Sequence, residues 1–213
     1  MNMRVGVIGS GAVAKVLARG FAKKGYDVRI GTRDVSKVAD VVAEGIVAGS
    51  VAEVAAHGEV LVLAVKGTAA LDAAKLAGAG LAGKVVIDTT NPIADEPPQD
   101  GIIRYFTGPN DSLMERLQAA FPTARFVKAW NSVGSAFMVD PQFAGGPPTM
   151  FTCGNDDAAK AQVVGILREF GWDTEDIGKA TGARAIEPLC QLWCAPGFQR
   201  NQWAHAYKVL RPG

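Results

Sequence analysis

Val5-Gly6-Val7-Ile8-Gly9-Ser10-Gly11-Ala12-Val13-Ala14 stands close to the start of the chain. Its first residues belong to a short apolar run, 4–8, of the kind that forms a buried strand. Gly9, Gly11 and Ala14 then follow at the spacing G-x-G-x-x-A. From 12 to 24, Val13, Val16, Leu17, Gly20 and Phe21 share one helical face, and Gly25 supplies the stop. Strand, glycine turn and helix in that order form the dinucleotide fingerprint. Gly9 permits the tight turn, Gly11 lets the backbone approach a pyrophosphate, and Ala14 keeps helix and strand close. A phosphate placed there meets free N–H groups and the positive end of a helix dipole. Gly9, Ser10, Gly11, Ala12 and Val13 are therefore candidate cofactor contacts. The spacing alone is a weak signal, and its strand–helix context makes it specific.

The alternation continues. Strands are expected at 27–31, 60–65, 85–88, 125–129, 149–153 and 173–177. Helices are expected at 36–44, from Ser50 to Gly58, at 68–77, from Ser112 to Phe121, and at 156–170. Ser50 with Glu53 and Ser112 with Glu115 read as capping boxes. Residues 180–210 read as mostly helical, broken near Pro196 and Gly197. All 11 prolines fall at or after Pro92, so the second half carries more loops. This order predicts an α/β, Rossmann-type, doubly wound and mostly parallel sheet with a C-terminal helical appendage. Residues 1–178 form the cofactor-binding domain and 179–213 the helical segment packed on it.

Composition narrows the function classes. A length of 213 residues suits one domain with a small appendage. The net charge of +1 argues against a nucleic-acid surface. No apolar run approaches the ~20 residues of a membrane span. Lys15, Arg19, Lys23 and Lys24 interrupt the N-terminal apolar stretch on a helical period, against a signal peptide. Three cysteines do not form a disulfide framework, which suits a reducing, cytoplasmic setting.

Ligands of such sheets sit at the carboxyl ends of the strands. A free ribose 2′-hydroxyl calls for Asp or Glu at the end of the second strand. The sequence there is Gly31-Thr32-Arg33, with Asp34 later and Lys37 one turn on. A hydroxyl, a guanidinium and an ammonium make a site for a 2′-phosphate, pointing to NADP(H) over NAD(H). The first 40 residues hold eight Lys/Arg against three Asp/Glu, in the same direction. Further strand ends supply Ala64, Val65 and Lys66, then Asn91 and Pro92, then Trp130, Asn131, Ser132 and Val133. Lys66 is positioned either to reach a phosphate or to be solvated. Asn91 can donate and accept, which suits ribose or the nicotinamide amide, or it is a pre-proline turn residue. The 130–134 segment is expected to wall the nicotinamide.

With those segments in place, the chain resembles the NADP oxidoreductase family that depends on coenzyme F-420. The resemblance covers nearly the whole chain. It rests on V-G-V-I-G-S-G-A-V at 5–13, I-G-T-R-D at 30–34, D-T-T-N-P at 88–92, V-K-A-W-N-S-V-G at 127–134 and C-G-N-D-D-A-A-K at 153–160. It is similar also to the NADPH-binding half of the STEAP membrane metalloreductases, which pass hydride to a flavin. The resemblance implies that Thr32, Arg33 and Lys37 bind the 2′-phosphate. It implies too that Val65, Asn91 and 130–133 surround the nicotinamide, and that an acceptor cavity over it is completed by the C-terminal helices, with a second subunit as a further contributor.

The expected reaction is hydride transfer between NADP(H) and a small-molecule acceptor, a deazaflavin (coenzyme F-420) or FMN/FAD. Such transfer needs mainly proximity and stacking, so no catalytic side chain is singled out. Reduction of a small imine or carbonyl compound, or non-enzymatic NADP(H) sensing, are the alternatives. His57 is poorly placed for proton donation, whereas His205 in the C-terminal region faces either a pocket or ordinary packing. Cys190 and Cys194 share a helix face as small thiols, and no metal site is expected. Trp193, Phe198, Trp203 and Tyr207 suit a core, an acceptor pocket or a homodimer interface.

Overall fold

The apolar runs become the inner strands of one sheet. In the computed structural model, which describes residues 2–212, these are β1 (Arg4–Ile8), β4 (Val60–Leu63), β5 (Val85–Asp88) and β6 (Arg125–Lys128). With β2 (Asp27–Gly31), β3 (Val47–Gly49), β7 (Thr149–Gly154) and β8 (Asp173–Asp176) they form an eight-stranded sheet in the order β3-β2-β1-β4-β5-β6-β7-β8. Strands β1 to β6 pair in parallel, β7 runs antiparallel to β6, and β8 is parallel to β7. The order reverses between β1 and β4, which creates a crevice at their carboxyl ends.

Both faces of the sheet are covered. On one, α1 (Ala12–Lys23), α2 (Ala39–Ala43) and α6 (Asp157–Glu169) bury Leu17, Phe21, Val41, Val163 and Leu167 against Val7, Ile30 and Val127. On the other, α3 (Val51–His57), α4 (Ala70–Ala77) and α5 (Leu113–Ala120) bury Ala55, Ala74, Leu113 and Leu117 against Leu61, Leu63, Val86 and Phe126. Two covered faces explain why the central strands are continuously apolar.

Strand β3 was not expected from sequence. Three residues, with Val47 exposed, pair along the sheet edge through Ala48 and Ile30, too few to show a period. The expected helix 36–44 divides into a 3-10 turn at Val35–Val38 and α2. The Ser50–Glu53 capping box is complete, with Ser50 Oγ accepting from Glu53 N and Glu53 accepting from Ser50 N at 2.8 Å. The second box is half formed. Ser112 Oγ accepts from Glu115 N and donates to Glu115 Oε2 at 2.7 Å, but that carboxylate is completed by Arg184 at 2.7 Å and not by the Ser112 main-chain N–H.

The C-terminal expectation needs correction. After α7 (Ala183–Ile186), helix α8 (Pro188–Arg200) passes through Pro196 instead of breaking there. Pro196 withholds an N–H from the Leu192 carbonyl. Packing compensates: Trp193 is buried, and Gln191 Nε2 donates to Ile103 O at 2.7 Å. Asn201, at φ 53°, closes the helix. Residues 201–212 are not helical but form an irregular strap. Thr149 N donates to Tyr207 O at 2.8 Å, Val209 N to Thr149 Oγ1 at 3.1 Å, and Tyr207 OH to Leu189 O at 3.0 Å. Non-local pairing to β7 thus overrides any helical tendency of the tail.

Candidate cofactor crevice

The β1–α1 turn lies where the strand order reverses. Gly9 has φ 140°, a conformation open to glycine, and a Cβ there would collide with the Ala64 carbonyl oxygen. Its N–H donates to Gly31 O at 2.9 Å. The turn is therefore wedged between the ends of β2 and β4. Gly11 is different. It is exposed, caps α1 with no side-chain hydrogen bond, and a Cβ on it would meet nothing within 4 Å. No acidic residue stands in the first turn of α1. Its first N–H groups have no hydrogen-bond acceptor among the described residues and its positive end is unopposed, a cradle for phosphate. Ser10 and Val13 are half-buried at its edge, Ala12 is exposed, and Ala14 is buried beneath.

At the end of β2, Thr32 is nearly buried, and its Oγ1 is tied to the backbone of Asp34 at 3.1 and 3.2 Å. The Asp34 carboxylate turns into the 3-10 turn, accepting from Ser36 N at 3.1 Å and Ser36 Oγ at 2.6 Å. Those Ser36 bonds, chiefly the hydroxyl's, hold its pKa below the ordinary aspartate value. Asp34 is thereby spent on capping, and Ser36 joins the turn, a residue the sequence reading passed over. Arg33 and Lys37 are exposed, and among the described residues neither forms an ion pair. Most of the other early cations are neutralised: Lys15 and Arg19 by Asp40 and Glu44, Lys23 and Lys24 by Asp140, and Arg4 by Glu59. The surplus of positive charge that remains at the end of β2 is Arg33 and Lys37.

The ends of β4, β5 and β6 form the other half of the crevice. Ala64 is buried and Val65 half-buried, while Lys66 is exposed and pairs loosely with Asp95 at 3.5 Å. Asn91 Nδ2 donates to Asn131 O at 2.8 Å, and Asn131 Nδ2 donates to Asn91 Oδ1 at 3.1 Å and to Ile186 O at 3.1 Å. The two amides thus fix one another, with Pro92 buried behind them. Ser132 and Val133 are buried alongside. Trp130 does not present its ring to the crevice. The indole is fully buried, 5.2 Å from Phe170 and 6.1 Å from Phe21, leaving its main chain at the strand end. Its φ of 57° costs about 1–3 kcal/mol. Burial of the ring among aromatics and the main-chain N–H of Trp130, donated to Met150 Sδ at 3.1 Å, offset that strain.

Beneath these loops lies a buried ionic cluster that the sequence reading missed. Lys128 Nζ meets Asp88 Oδ2 at 2.7 Å, Glu187 Oε1 at 2.9 Å and the Thr90 carbonyl at 2.9 Å, all three charged side chains being essentially inaccessible. Asp88 Oδ1 accepts from Thr90 N and Oγ1, and Glu187 accepts from Leu113 N and Met114 N at 3.0 Å each. Burial works to lower the pKa of Lys128, but the two carboxylates override it and the net shift is upward. A signal existed for two of its three charged members: Asp88 and Lys128 interrupt adjacent apolar strands at paired positions. Glu187 gave none, because it arrives from the C-terminal arm.

His57 contacts Asp27 at the start of β2, away from the crevice. His205 stacks on Trp193 with ring centroids 5.0 Å apart, and its carbonyl accepts from Trp193 Nε1. Burial pushes the Cys153 thiol up to about 12. Cys190 is buried and Cys194 half-buried on one face of α8. Among the described residues no group of His, Cys, Asp or Glu could hold a metal ion, and no helix is long and apolar enough to cross a membrane. An open cavity of about 630 Å³ lies between the 94–106 excursion and α8, bordered by Ile103, Tyr105, Phe106 and Gln191.

The doubly wound sheet and a glycine turn opening an uncapped helix at its reversal point make a dinucleotide site, and likeness to known proteins sets the class, an NADP(H)-dependent oxidoreductase. The chain belongs to the family of NADP oxidoreductases described as coenzyme F420-dependent, whose model matches residues 4–92. It is similar over both full lengths to a protein from Arthrobacter sp. FB24 provisionally described as an F420-dependent NADP reductase. That crystal structure is 33% identical, covers 99% of this chain and 100% of its own, and has a TM-score of 0.92. Metalloreductase STEAP3 of Rattus norvegicus is 28% identical over 87% of this chain and 36% of its own length. Metalloreductase STEAP2 of Homo sapiens is 30% identical over 92% of this chain and 38% of its own length. The chain thus spans little more than a third of those two relatives. An imine reductase from Streptomyces aurantiacus shares the fold, at 18% identity and a TM-score of 0.66 over 89% of this chain and 61% of its own.

Proposed function

We propose that the chain transfers hydride between NADP(H) and a flavin-like acceptor, a deazaflavin such as coenzyme F420 or FMN/FAD. The observation that carries the cofactor half is the pairing of two open features. One is the uncapped N-terminus of α1 at Gly11, and the other is the unpaired Arg33 and Lys37 at the end of β2. The first suits a pyrophosphate and the second a 2′-phosphate. Ser10, Ala12 and Val13 border the pyrophosphate, and Thr32 with Ser36 supplements the phosphate end. Ala64, Val65 and Lys66, Asn91 and Pro92, and the 130–133 segment enclose the nicotinamide end, Trp130 through its main chain. Bound NADP(H) supplies the hydride, and this chain's residues hold it and shield it from water.

The acceptor half rests on likeness to the Arthrobacter protein along both chains and on the cavity beside Tyr105, whose volume lies in the small-molecule range. Residues 1–178 serve as the cofactor domain and 179–213 as the arm that borders the acceptor. The exposed Leu192, Phe198 and Trp203 of that arm favour a homodimer contact, checked by sedimentation. The setting we infer is cytoplasmic.

The test is anaerobic NADPH oxidation with F420, FMN, FAD and a cyclic imine run side by side, NADH serving as control. Turnover with the deazaflavin or a flavin supports the reading. Turnover with the imine alone replaces it with imine reduction, and tight NADPH binding without turnover favours a sensor. Arg33→Ala should weaken NADPH binding about tenfold or more while leaving NADH nearly unchanged. Equal losses for the two cofactors refute the 2′-phosphate assignment.

A further inference from the structure

Three groups, one from the end of β6 and two from the loops after β5 and β6, converge on two adjacent residues where α7 meets α8. Asn131 Nδ2 donates to the Ile186 carbonyl at 3.1 Å. Lys128 Nζ holds the Glu187 carboxylate at 2.9 Å. Tyr105 OH donates to the Glu187 carbonyl at 2.7 Å and accepts from Gln191 N at 3.0 Å. Residues 187 and 191 are an i, i+4 pair, so the tyrosine hydroxyl has inserted itself into the first rung of α8. The same Lys128 binds the Thr90 carbonyl, and Asp88 fixes the Thr90 amide and hydroxyl. Thr90 leads directly into Asn91, which is locked to Asn131. The contacts close a ring: Glu187, Lys128, Thr90, Asn91, Asn131, Ile186. From the arm side, Trp193 of α8 seats on Gly134, where a Cβ would come within 2.6 Å of the indole.

We propose that Glu187 is a positioning residue for hydride transfer. Its carboxylate, through Lys128, and its carbonyl, through Tyr105, set the loops after β5 and β6 at a fixed distance from α8. This rests on the reading that those loops enclose the nicotinamide and that α8 borders the acceptor. A ring of this kind holds the two reacting partners in register without touching either. The phosphate contacts at Gly11 and Arg33 lie outside it, so it governs geometry at one end of the cofactor and leaves affinity at the other.

The experiment uses the full chain with Glu187→Gln and, as a variant that keeps the buried charges intact, Tyr105→Phe. Hydrogen exchange of the cofactor-free protein is expected to quicken at 89–92 and 130–134 in both variants, with 9–14 unchanged. The NADPH dissociation constant should stay within about twofold of wild type. Emission of the bound reduced nicotinamide should shift toward that of free NADPH. Single-turnover transfer to F420, FMN or FAD, whichever the wild-type protein reduces, should slow about tenfold or more, and discrimination between 4R- and 4S-deuterated NADPH should erode. A merely structural role would lower the melting temperature and leave the last three readouts of the folded protein unmoved. Wild-type protein that fails to bind NADPH overturns the site reading and this role with it. Wild-type binding with unchanged loop exchange and unchanged emission in both variants overturns the role alone.

Discussion

Lys128 Nζ lies 2.9 Å from Glu187 Oε1, both side chains shut away from solvent. The lysine belongs to the last strand of the parallel set, and the glutamate stands at the head of the C-terminal helix. One buried ion pair, shared with Asp88 at 2.7 Å, therefore joins the sheet to its appendage. Charges taken out of water are costly to strand, so the cluster acts as a bolt that tolerates no missing partner.

Lys128→Met tests that bolt. The substitution leaves two carboxylates buried with no cation between them, and the expected loss is about 3–5 kcal/mol. Urea denaturation measures it. A loss below about 1 kcal/mol would mean that water reaches the cluster and relieves the stranded charges.

The two glycines of the β1–α1 turn should separate stability from binding. Gly9→Ala drives a methyl into the Ala64 carbonyl at a positive φ, so the protein should lose both stability and cofactor. Gly11→Ala adds a methyl to open space and should cost no more than about 0.5 kcal/mol. NADPH affinity should nonetheless drop on the order of tenfold, because the methyl occupies the phosphate approach. Thermal melts paired with NADPH fluorescence titration give both numbers, and a Gly11→Ala protein with wild-type affinity would contradict the cradle.

Acid should weaken the contact between α1 and α2. The hydrogen bonds from Lys15 and then Arg19 hold Asp40 at about 2, against 3.8 for the free side chain. A carboxyl whose folded pKa is depressed stabilises the native state above the unfolded value and loses that contribution as pH falls through the folded one. The window is therefore pH 4 down to 2. Melting temperatures recorded across it should fall less steeply for Asp40→Asn than for wild type, and parallel curves would remove Asp40 from the account.

Gly197→Ala should release the strap. A Cβ at that position collides with the six-membered ring of Trp203, which packs at 5.2 Å on Phe198 and 5.7 Å on Trp193. Evicting the indole should expose 201–212 to limited proteolysis while α8 persists, as checked by mass spectrometry of the fragments and far-UV dichroism. A strap that resists cleavage in the variant would show that Tyr207 and Thr149 hold it unaided.

What the sequence determined by itself was whatever depends on neighbours along the chain. Val5–Ala14 specifies a strand, a turn and a helix through local period and glycine spacing. The β/α alternation then dictates a parallel sheet and places Gly11, Arg33 and Asn91 at strand ends, because connection rules leave few other arrangements. Edge strand β3 escaped because three residues carry no period, and the 201–212 strap escaped because its hydrogen bonds are to β7 and not to itself. Only the tertiary structure could settle three further matters: that Asp34 is consumed by its own turn, that the Trp130 ring belongs to the core, and that Lys128 meets Glu187. Each depends on which way a side chain turns once distant segments pack around it, and that choice is made by burial and charge compensation across the fold, not by spacing along the chain.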